Sequence, residues 1–340
     1  MDIKDLIQQA RKKFRIPAIV VLIVKGDEVL VQEIQGTRVV DTDNPATLED
    51  YFHIGSCSKS VLAVMAGKLV ESTHISWASK FFDVYPELLA LANPAYRDIC
   101  LEDLFLCQAG IQPYTDGKEA FPDMDEQAPN QRLEFAKQLV QQKPSARKQK
   151  DGSFKHLYSN ASYTMAALML EKVSGKPYEE LLQQTLTTEL GLDVFVGWPN
   201  QINENQPWGH LIRWRNITLY PPDDPYRLPY LLTPSGDLSM KPIDYARYTQ
   251  LHLKGLQGNS SFLKQETLQH IHFGHKGFSM GVGNFNGNMS AMDGSAGTFF
   301  CRSIFAPDSD MSVSLMMNAG SGKGRMKAID WLTKKVFLRK

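Results

Sequence analysis

Strand-forming patterns lie near both ends of the chain, and helical patterns fill most of the region between them. Residues 18–24 (AIVVLIV) form a continuous apolar run, which is typical of a buried strand. Residues 28–36 are the predicted hairpin partner across a turn at 25–27, and 311–317 alternate with the period of a strand. We therefore predict an antiparallel sheet built from both termini, flanked by helices, with a helical domain inserted in the middle.

The predicted domain boundaries follow from where helical spacing takes over. Apolar residues recur with a helical period at 58–71 and at 160–173. A chain of 340 residues is long enough to bury a large core without disulfide or metal staples. We assign residues 1–70 and 230–340 to an α/β sheet domain and 71–229 to a mainly helical domain, packed as one unit with a site between them.

The charge balance argues against several classes of partner. Lys plus Arg and Asp plus Glu number 37 each, so there is no electrostatic reason to expect a nucleic acid or an anionic membrane surface. No apolar run reaches the roughly 20 residues of a membrane span. Residues 1–14 are typical of an amphipathic helix and not of a signal peptide. The chain as given is therefore expected in the cytoplasm, or in the periplasm or outside the cell if a signal peptide was removed.

The cysteines do not predict a metal site. They stand at positions 57, 100, 107 and 301, and no two of them form a CxxC pair. Because no histidines cluster beside them, a zinc site is not supported and we expect no metal. We expect all four thiols to be reduced and mostly buried.

The pattern Ser-x-x-Lys occurs three times, at 56–59, 145–148 and 261–264. The second lies in a basic loop, and the third begins a surface helix, where a serine is normally a cap. Ser56 instead follows a glycine and opens an apolar helix, at the positive end of the helix dipole. Lys59 lies one turn on, where burial would lower its pKa and make a neutral amine a general base for Ser56. The alternative is that Ser56 only caps the helix while Lys59 extends to solvent.

A second candidate element is the only Tyr-x-Asn in the chain, formed by Tyr158 and Asn160. Beside a lysine ammonium, the pKa of a phenol is expected to fall, which would make Tyr158 a proton acceptor. The amide of Asn160 can both donate to and accept from a substrate amide or ester. The alternative is a packed tyrosine next to an asparagine that caps the helix.

The third candidate element is the segment 292–297 (MDGSAG), which precedes residues of strand composition. Small residues at a strand edge let a substrate backbone approach closely. An N–H exposed there and facing the helix start at Ser56 would supply one of two donors to an oxyanion hole. Met292, Gly294 and Ser295 are therefore candidate substrate-binding positions. The alternative is a glycine-rich bend between two strands.

Together, these three elements resemble those of the penicillin-recognising serine hydrolases, in the same order and at the same spacing. That family includes class C β-lactamases, D-alanyl-D-alanine carboxypeptidases and family VIII-type esterases. The resemblance covers nearly the whole chain and is carried by FHIGSCSKSVLAVMAGKLVE, LYSNASYTMAALMLEKVSGKPYEELL and MDGSAGTFFCRSIFAPDSDMSVSLMMN. It implies a β-lactamase/transpeptidase-like fold, in which an α/β sheet domain and an all-α domain hold the site between them.

The resemblance also implies a role for each candidate residue. Ser56 would be acylated, and Lys59 and Tyr158 would carry its proton. Asn160 would hold the substrate, and the backbone N–H groups of Ser56 and Ser295 would form the oxyanion hole. The implied substrate is a small ester, amide or peptide-like molecule, and no metal or organic cofactor is implied.

One position departs from the family pattern. The third motif of the family begins with a basic residue that helps to bind a substrate carboxylate, whereas this chain has Met292 followed by Asp293. We therefore predict that neutral esters or amides are preferred. Two alternatives stay open. One is a β-lactamase or D-alanyl-D-alanine peptidase in which another cation, such as an arginine, replaces the missing one, and the other is a non-catalytic binding protein that kept the fold. The oligomeric state is not predicted.

Overall fold

A computed structural model of the chain describes residues 2–337, except 116, 118, 126, 214–215, 286–287 and 321. Its strands are β1 (Ala18–Lys25), β2 (Glu28–Gly36), β3 (Phe52–His53), β4 (Val194–Val196), β5 (Gly209–Arg213), β6 (Asn216–Tyr220), β7 (Leu238–Met240), β8 (Phe278–Ser279), β9 (Val282–Phe285), β10 (Met289–Ser295), β11 (Phe300–Ala306) and β12 (Met311–Met317).

The helices lie mainly between the two groups of sheet strands. They are α1 (Ile3–Phe14), α2 (Ser58–Glu71), α3 (Phe81–Val84), α4 (Leu101–Phe105), α5 (Gln131–Gln141), α6 (Asn160–Ser174), α7 (Tyr178–Leu182), α8 (Thr233–Gly236), α9 (Pro242–Leu256), α10 (Gln265–Phe273) and α11 (Lys323–Phe337). Among the described residues, no helix has the length and apolar character to cross a lipid bilayer.

The main sheet joins strands from the two ends of the chain. Its order is β2-β1-β12-β11-β10-β9-β8, and every neighbouring pair is antiparallel. Two smaller sheets, β3-β7-β4 and β5-β6, lie apart from it. The predicted hairpin of β1 and β2 and the predicted strand at 311–317 are confirmed.

Strand β1 is apolar throughout because helices cover both of its faces. Ala18, Val20 and Leu22 pack into the larger core, which also contains residues of α2 and α6. Ile19 and Val21 pack into a second core formed with α1 and α11. An apolar run without alternation is what a strand between two helical layers requires.

Helices α2 and α6 form the centre of the larger core. Every residue from 58 to 67 in α2 and from 161 to 170 in α6 is buried, so both helices are apolar all round. The hydroxyl of Ser159 caps the start of α6 by accepting the Ser162 N–H at 3.0 Å. Gly175 closes the same helix in the left-handed conformation, as the sequence predicts.

The predicted fold class is confirmed, because strands from both ends of the chain form one large antiparallel sheet flanked by helices, with a mainly helical region inserted between them. The predicted division at residues 70 and 230 stays a prediction. The segment 71–229 contains helices α3 to α7, and it also contributes strands β4, β5 and β6.

Candidate active site

Ser56 lies in a short 3₁₀ turn, Gly55–Cys57, which leads directly into α2. Among residues 52–67, all of which the structure describes, Ser56 alone is not buried. Ser56 therefore interrupts an otherwise buried segment just before α2 begins. The start of a helix also offers unpaired backbone N–H groups to a developing negative charge.

Two glycines bring β10 against this turn. A Cβ atom on Gly294 would lie 1.8 Å from the Ile54 carbonyl oxygen, and one on Gly55 would lie 2.7 Å from the Ser295 nitrogen. Gly55 also has a φ of +53°, which other residues adopt only with strain. Because no side chain fits at either position, the third sequence motif packs backbone to backbone on the turn that carries Ser56. This contact places the Ser295 nitrogen beside the turn.

A buried histidine supports the same turn. The Gly55 N–H donates to Nδ1 of His53 at 3.0 Å, so that nitrogen is unprotonated in this contact. The other ring nitrogen, Nε2, then carries the proton and donates to Oδ1 of Asp237 at 3.1 Å. Sequence reasoning missed this pair because its members are 184 residues apart. The pair fixes the orientation of the peptide group that precedes the nucleophile candidate.

Lys59 is fully buried, and its ammonium nitrogen has three oxygen partners. Nζ lies 2.7 Å from Oδ1 of Asn160, 2.8 Å from the carbonyl oxygen of Ser235 and 3.4 Å from Oγ of Ser56. An ammonium donates one hydrogen bond to each of them. A neutral amine keeps the first two and turns its lone pair to the Ser56 hydroxyl. The contribution of the Ser235 carbonyl was not predicted from the sequence.

Burial sets the proton affinity of Lys59. The loss of hydration lowers the pKa of Lys59 to about 7, from an ordinary value of about 10.4. Among the described residues, no carboxylate forms an ion pair with Lys59, and the rings of Tyr158 and Tyr163 lie 4.7 and 5.0 Å from Nζ. A substantial fraction of Lys59 is thus neutral at neutral pH, as a general base requires.

Tyr158 is partly buried, and its proton affinity differs from the sequence-based expectation. Burial raises the pKa of Tyr158 above its ordinary value, and a hydrogen bond with the Ser56 hydroxyl lowers it only in part. The expectation that the phenol pKa falls is therefore wrong. Desolvation of the phenolate is the largest cause of the shift, and the charge of Asp293 adds to it. Tyr158 is a neutral O–H group that lies next to both Ser56 and Lys59.

Asn160 is the first residue of α6, and Ser159 rather than Asn160 is the N-cap. Its amide oxygen accepts from Lys59, and its Nδ2 donates to the carbonyl oxygen of Tyr114 at 2.7 Å. These contacts tie α6 to the lysine and to the loop at 113–114. The second N–H of the amide is not used by them, so substrate binding by Asn160 stays a prediction.

Met292 does not lie where a substrate contact was expected. It is 0% exposed and belongs to the larger apolar core, on the same face of β10 as Gly294. Its thioether therefore offers no surface to a ligand, and its assignment as a substrate-binding residue is corrected. Compared with the family pattern, this position therefore lacks the positive charge of a basic residue.

The neighbouring carboxylate is paired across the sheet. Asp293 lies opposite Arg302 on β11, and the two form a two-pronged contact with N···O distances of 2.6 Å each. Arg302 also donates to Asp330 of α11 at 2.7 Å. This arginine is thus engaged by two carboxylates and does not replace the missing cation.

Comparisons with known proteins identify the family and the fold. A family model described as Beta-lactamase matches residues 3–336. By sequence alone, none of the curated proteins matches the chain.

Several solved structures share the fold. A class C beta lactamase from Rhodobacter sphaeroides matches with a TM-score of 0.73 at 16% identity, over 98% of this chain and 99% of that one. FmtA from Staphylococcus aureus matches with a TM-score of 0.73 at 18% identity, over 98% and 89%. The octameric penicillin-binding protein homologue from Pyrococcus abyssi matches with a TM-score of 0.72 at 22% identity, over 95% and 74%. At these identities the likeness is one of fold.

Proposed function

The chain belongs to the Beta-lactamase family, and on that basis we propose that it is a serine hydrolase that forms an acyl-enzyme on Ser56 and prefers neutral esters or amides. The observation that carries the proposal is the pairing of Ser56, the one residue of segment 52–67 that is not buried, with the buried amine of Lys59. A fully buried lysine loses hydration and gains little structurally. The loss of hydration is explained if the amine accepts a proton during catalysis, because burial makes the amine neutral.

The arrangement supports a balanced reaction sequence. Neutral Lys59 takes the hydroxyl proton of Ser56 as Oγ bonds to the substrate carbonyl carbon. The carbonyl oxygen becomes an oxyanion beside the backbone N–H groups of Ser56 and Ser295. As the tetrahedral intermediate collapses, the bond to the leaving group breaks and the leaving group receives the proton from Lys59, directly or through the phenol of Tyr158. A water molecule then attacks the acyl carbon, the bond from that carbon to Oγ of Ser56 breaks, and the carboxylic acid leaves as the proton of the water returns to Oγ by the same path.

The proton affinities support a division of labour between the two partners. Lys59, with a pKa of about 7, is the base. Tyr158 keeps its proton at neutral pH because burial raises its pKa. We therefore assign Tyr158 the role of a proton relay, which donates its own proton and accepts another in its place.

The charges near β10 support a neutral substrate. Met292 is uncharged, and the nearby group of Asp293, Arg302 and Asp330 contains two carboxylates for one guanidinium. A substrate carboxylate would have to lose hydration there without gaining a cation. Tyr226, an exposed aromatic residue, packs its hydroxyl against Gly297 at the end of the same motif and gives this side of the site an apolar ring.

The pH dependence of hydrolysis tests the role of Lys59. We expect kcat/KM for a neutral ester to rise with pH and to reach half of its plateau near pH 7, because the ammonium form below that pH cannot accept a proton. The measurement is a profile from about pH 5 to about pH 9 with a substrate whose leaving group does not titrate in that range. In Lys59→Met, the residual rate should lack this rise. A wild-type rate that falls with pH through neutrality would show that the base has another identity.

A matched pair of esters tests the substrate class. We expect a neutral short-chain ester to be hydrolysed with a kcat/KM at least about 10-fold higher than its carboxylate-bearing analogue, on the scale of one lost charge-assisted hydrogen bond. Penicillins and D-alanyl-D-alanine peptides should be poor substrates for the same reason. Rates for both esters in one buffer at high and low ionic strength separate local contacts from long-range charge. If the anionic ester is preferred, a cation outside β10 binds it, and the assignment to neutral substrates is wrong.

A further inference from the structure

Three potential metal ligands converge on the side of the molecule where α4 meets α10. Glu102 lies in α4, His270 lies in α10, and His275 lies in the loop that follows α10. Nε2 of His270 is 2.8 Å and Nε2 of His275 is 3.0 Å from the same oxygen, Oε1 of Glu102. One ligand atom from each residue lies within 4.8 Å of the others. All three side chains are partly exposed, so an ion and a water molecule have access.

The contact of His270 is not that of an ordinary hydrogen bond. Its Nε2 atom is buried and, among the described residues, has no hydrogen-bond partner, although a carboxylate oxygen is 2.8 Å away. The N–H direction therefore does not point at that oxygen. Ligand atoms that share a metal ion have this relation, because their lone pairs point to a common centre and not to each other.

From this geometry we propose that Glu102, His270 and His275 form a zinc site. Two imidazoles and one carboxylate are a ligand set that Zn²⁺ takes with water in the fourth position. Tetrahedral bonds of about 2.0–2.1 Å place ligand atoms roughly 3.3 Å apart, so the observed separations need to widen by only a few tenths of an ångström. No metal site was predicted from the sequence, because only the cysteines were considered as ligands. This cluster contains none of them.

Neighbouring residues give the cluster a defined orientation. The ring of Trp77 packs against that of His270 with centroids 5.5 Å apart. The Glu102 N–H donates to the carbonyl oxygen of Trp77 at 2.9 Å, which fixes the backbone of the carboxylate ligand. Two of the three ligands are thus preorganised by the fold.

The loop that carries His275 continues to the candidate active site. Phe278 packs edge-on against Tyr158 with centroids 5.8 Å apart. Gly281 follows, and a Cβ atom there would lie 2.7 Å from Cβ of Lys59. A Zn²⁺ ion at the cluster would join α4 to this loop and hold Phe278 against Tyr158. The site is therefore assigned a stabilising role for the loop, and its existence does not depend on the proposed hydrolase activity.

The test is direct metal binding by the full-length protein after removal of bound metal with a chelator. Titration with ZnCl₂, followed by calorimetry and elemental analysis, is expected to give one Zn²⁺ per chain and a higher melting temperature. Glu102→Gln and His275→Gln should each weaken binding by about 100-fold or more. Co²⁺ should give the visible absorption of a tetrahedral site in the wild type and not in either variant.

His74→Gln is the matched control, because His74 is an exposed histidine outside the cluster, and its ring contacts the hydroxyl of Ser72. Binding in this variant should equal that of the wild type. A stoichiometry well below one, or Zn²⁺ affinity unchanged in both cluster variants, would overturn the proposal. Because both substituted residues are partly exposed, circular dichroism of the two variants is expected to match the wild type, so that loss of the fold is distinguishable from loss of the metal.

Discussion

Replacing Ser56 with alanine is expected to reduce hydrolysis of short-chain nitrophenyl esters by about 10⁴-fold or more while the fold survives. Ser56 is the only residue of segment 52–67 that is not buried, and its hydroxyl oxygen lies 3.4 Å from the amine nitrogen of Lys59. Alanine fits the same turn, since Ser56 is not one of the glycine positions that contact β10. Steady-state kinetics on purified protein, with thermal unfolding as the check on the fold, measures the effect.

The chain supplies its own matched controls for this experiment. Ser145 and Ser261 share the Ser-x-x-Lys pattern, and their alanine variants should keep the wild-type rate. A fluorophosphonate probe, followed by peptide mass spectrometry, should place one adduct on Ser56 in the wild type and in both controls. An adduct on another residue, or activity retained by Ser56→Ala, would contradict the assignment and leave a binding protein as the better description.

The second large effect is expected from replacing the residues that carry the proton of Ser56. We expect Lys59→Met and Tyr158→Phe each to slow acylation by about 10²-fold or more, the usual scale for losing a positioned proton carrier. Methionine is chosen over alanine because Lys59 is fully buried and a smaller residue would leave a cavity. Because both residues serve one path, the double variant should lose less than the product of the two single losses. Pre-steady-state measurement of the acylation rate tests this.

Tyr163 provides the control for the tyrosine. Its ring lies 5.0 Å from the same lysine nitrogen, but its hydroxyl donates to the carbonyl oxygen of Phe105 at 2.7 Å and not to Ser56. Tyr163→Phe should therefore lower stability with little change in acylation. If it slows acylation as much as Tyr158→Phe, the effect comes from packing around the amine. Strictly multiplicative losses in the Lys59 and Tyr158 double variant would show that the two act independently.

The fold and the order of the site elements were accessible from local patterns. The apolar run of β1, the alternation of β12 and the helical spacing of α2 and α6 each contain enough residues to fix the type of element. The pairing of Ser56 with Lys59 lies within one helical turn, and the preceding glycine and the apolar helix distinguish it from the two other Ser-x-x-Lys patterns.

The parts that the sequence did not predict depend on burial and on distant contacts. The rise in the pKa of Tyr158 comes from packing that no local pattern reveals. Met292 stands at a motif position that was predicted to face the cleft, but the sheet directs its side chain into the core. His53 and Asp237, like Glu102 and His270, meet only because the chain returns after more than a hundred residues. No spacing rule relates such pairs.

The pairing of the first and last strands has a consequence for synthesis of the protein. Ala18 at the start of β1 bonds to the side chain of Asn318, which is 300 residues further along the chain, and β1 and β12 pair along their full length. The centre of the main sheet is therefore absent from a growing chain until almost all of it has left the ribosome. During that time the apolar residues 18–24 can pair with β2 but lack β12 on their other edge, and such exposed strand edges favour aggregation. Folding should be slow for a chain of this size, since the contacts that complete the sheet are among the most distant that it can form.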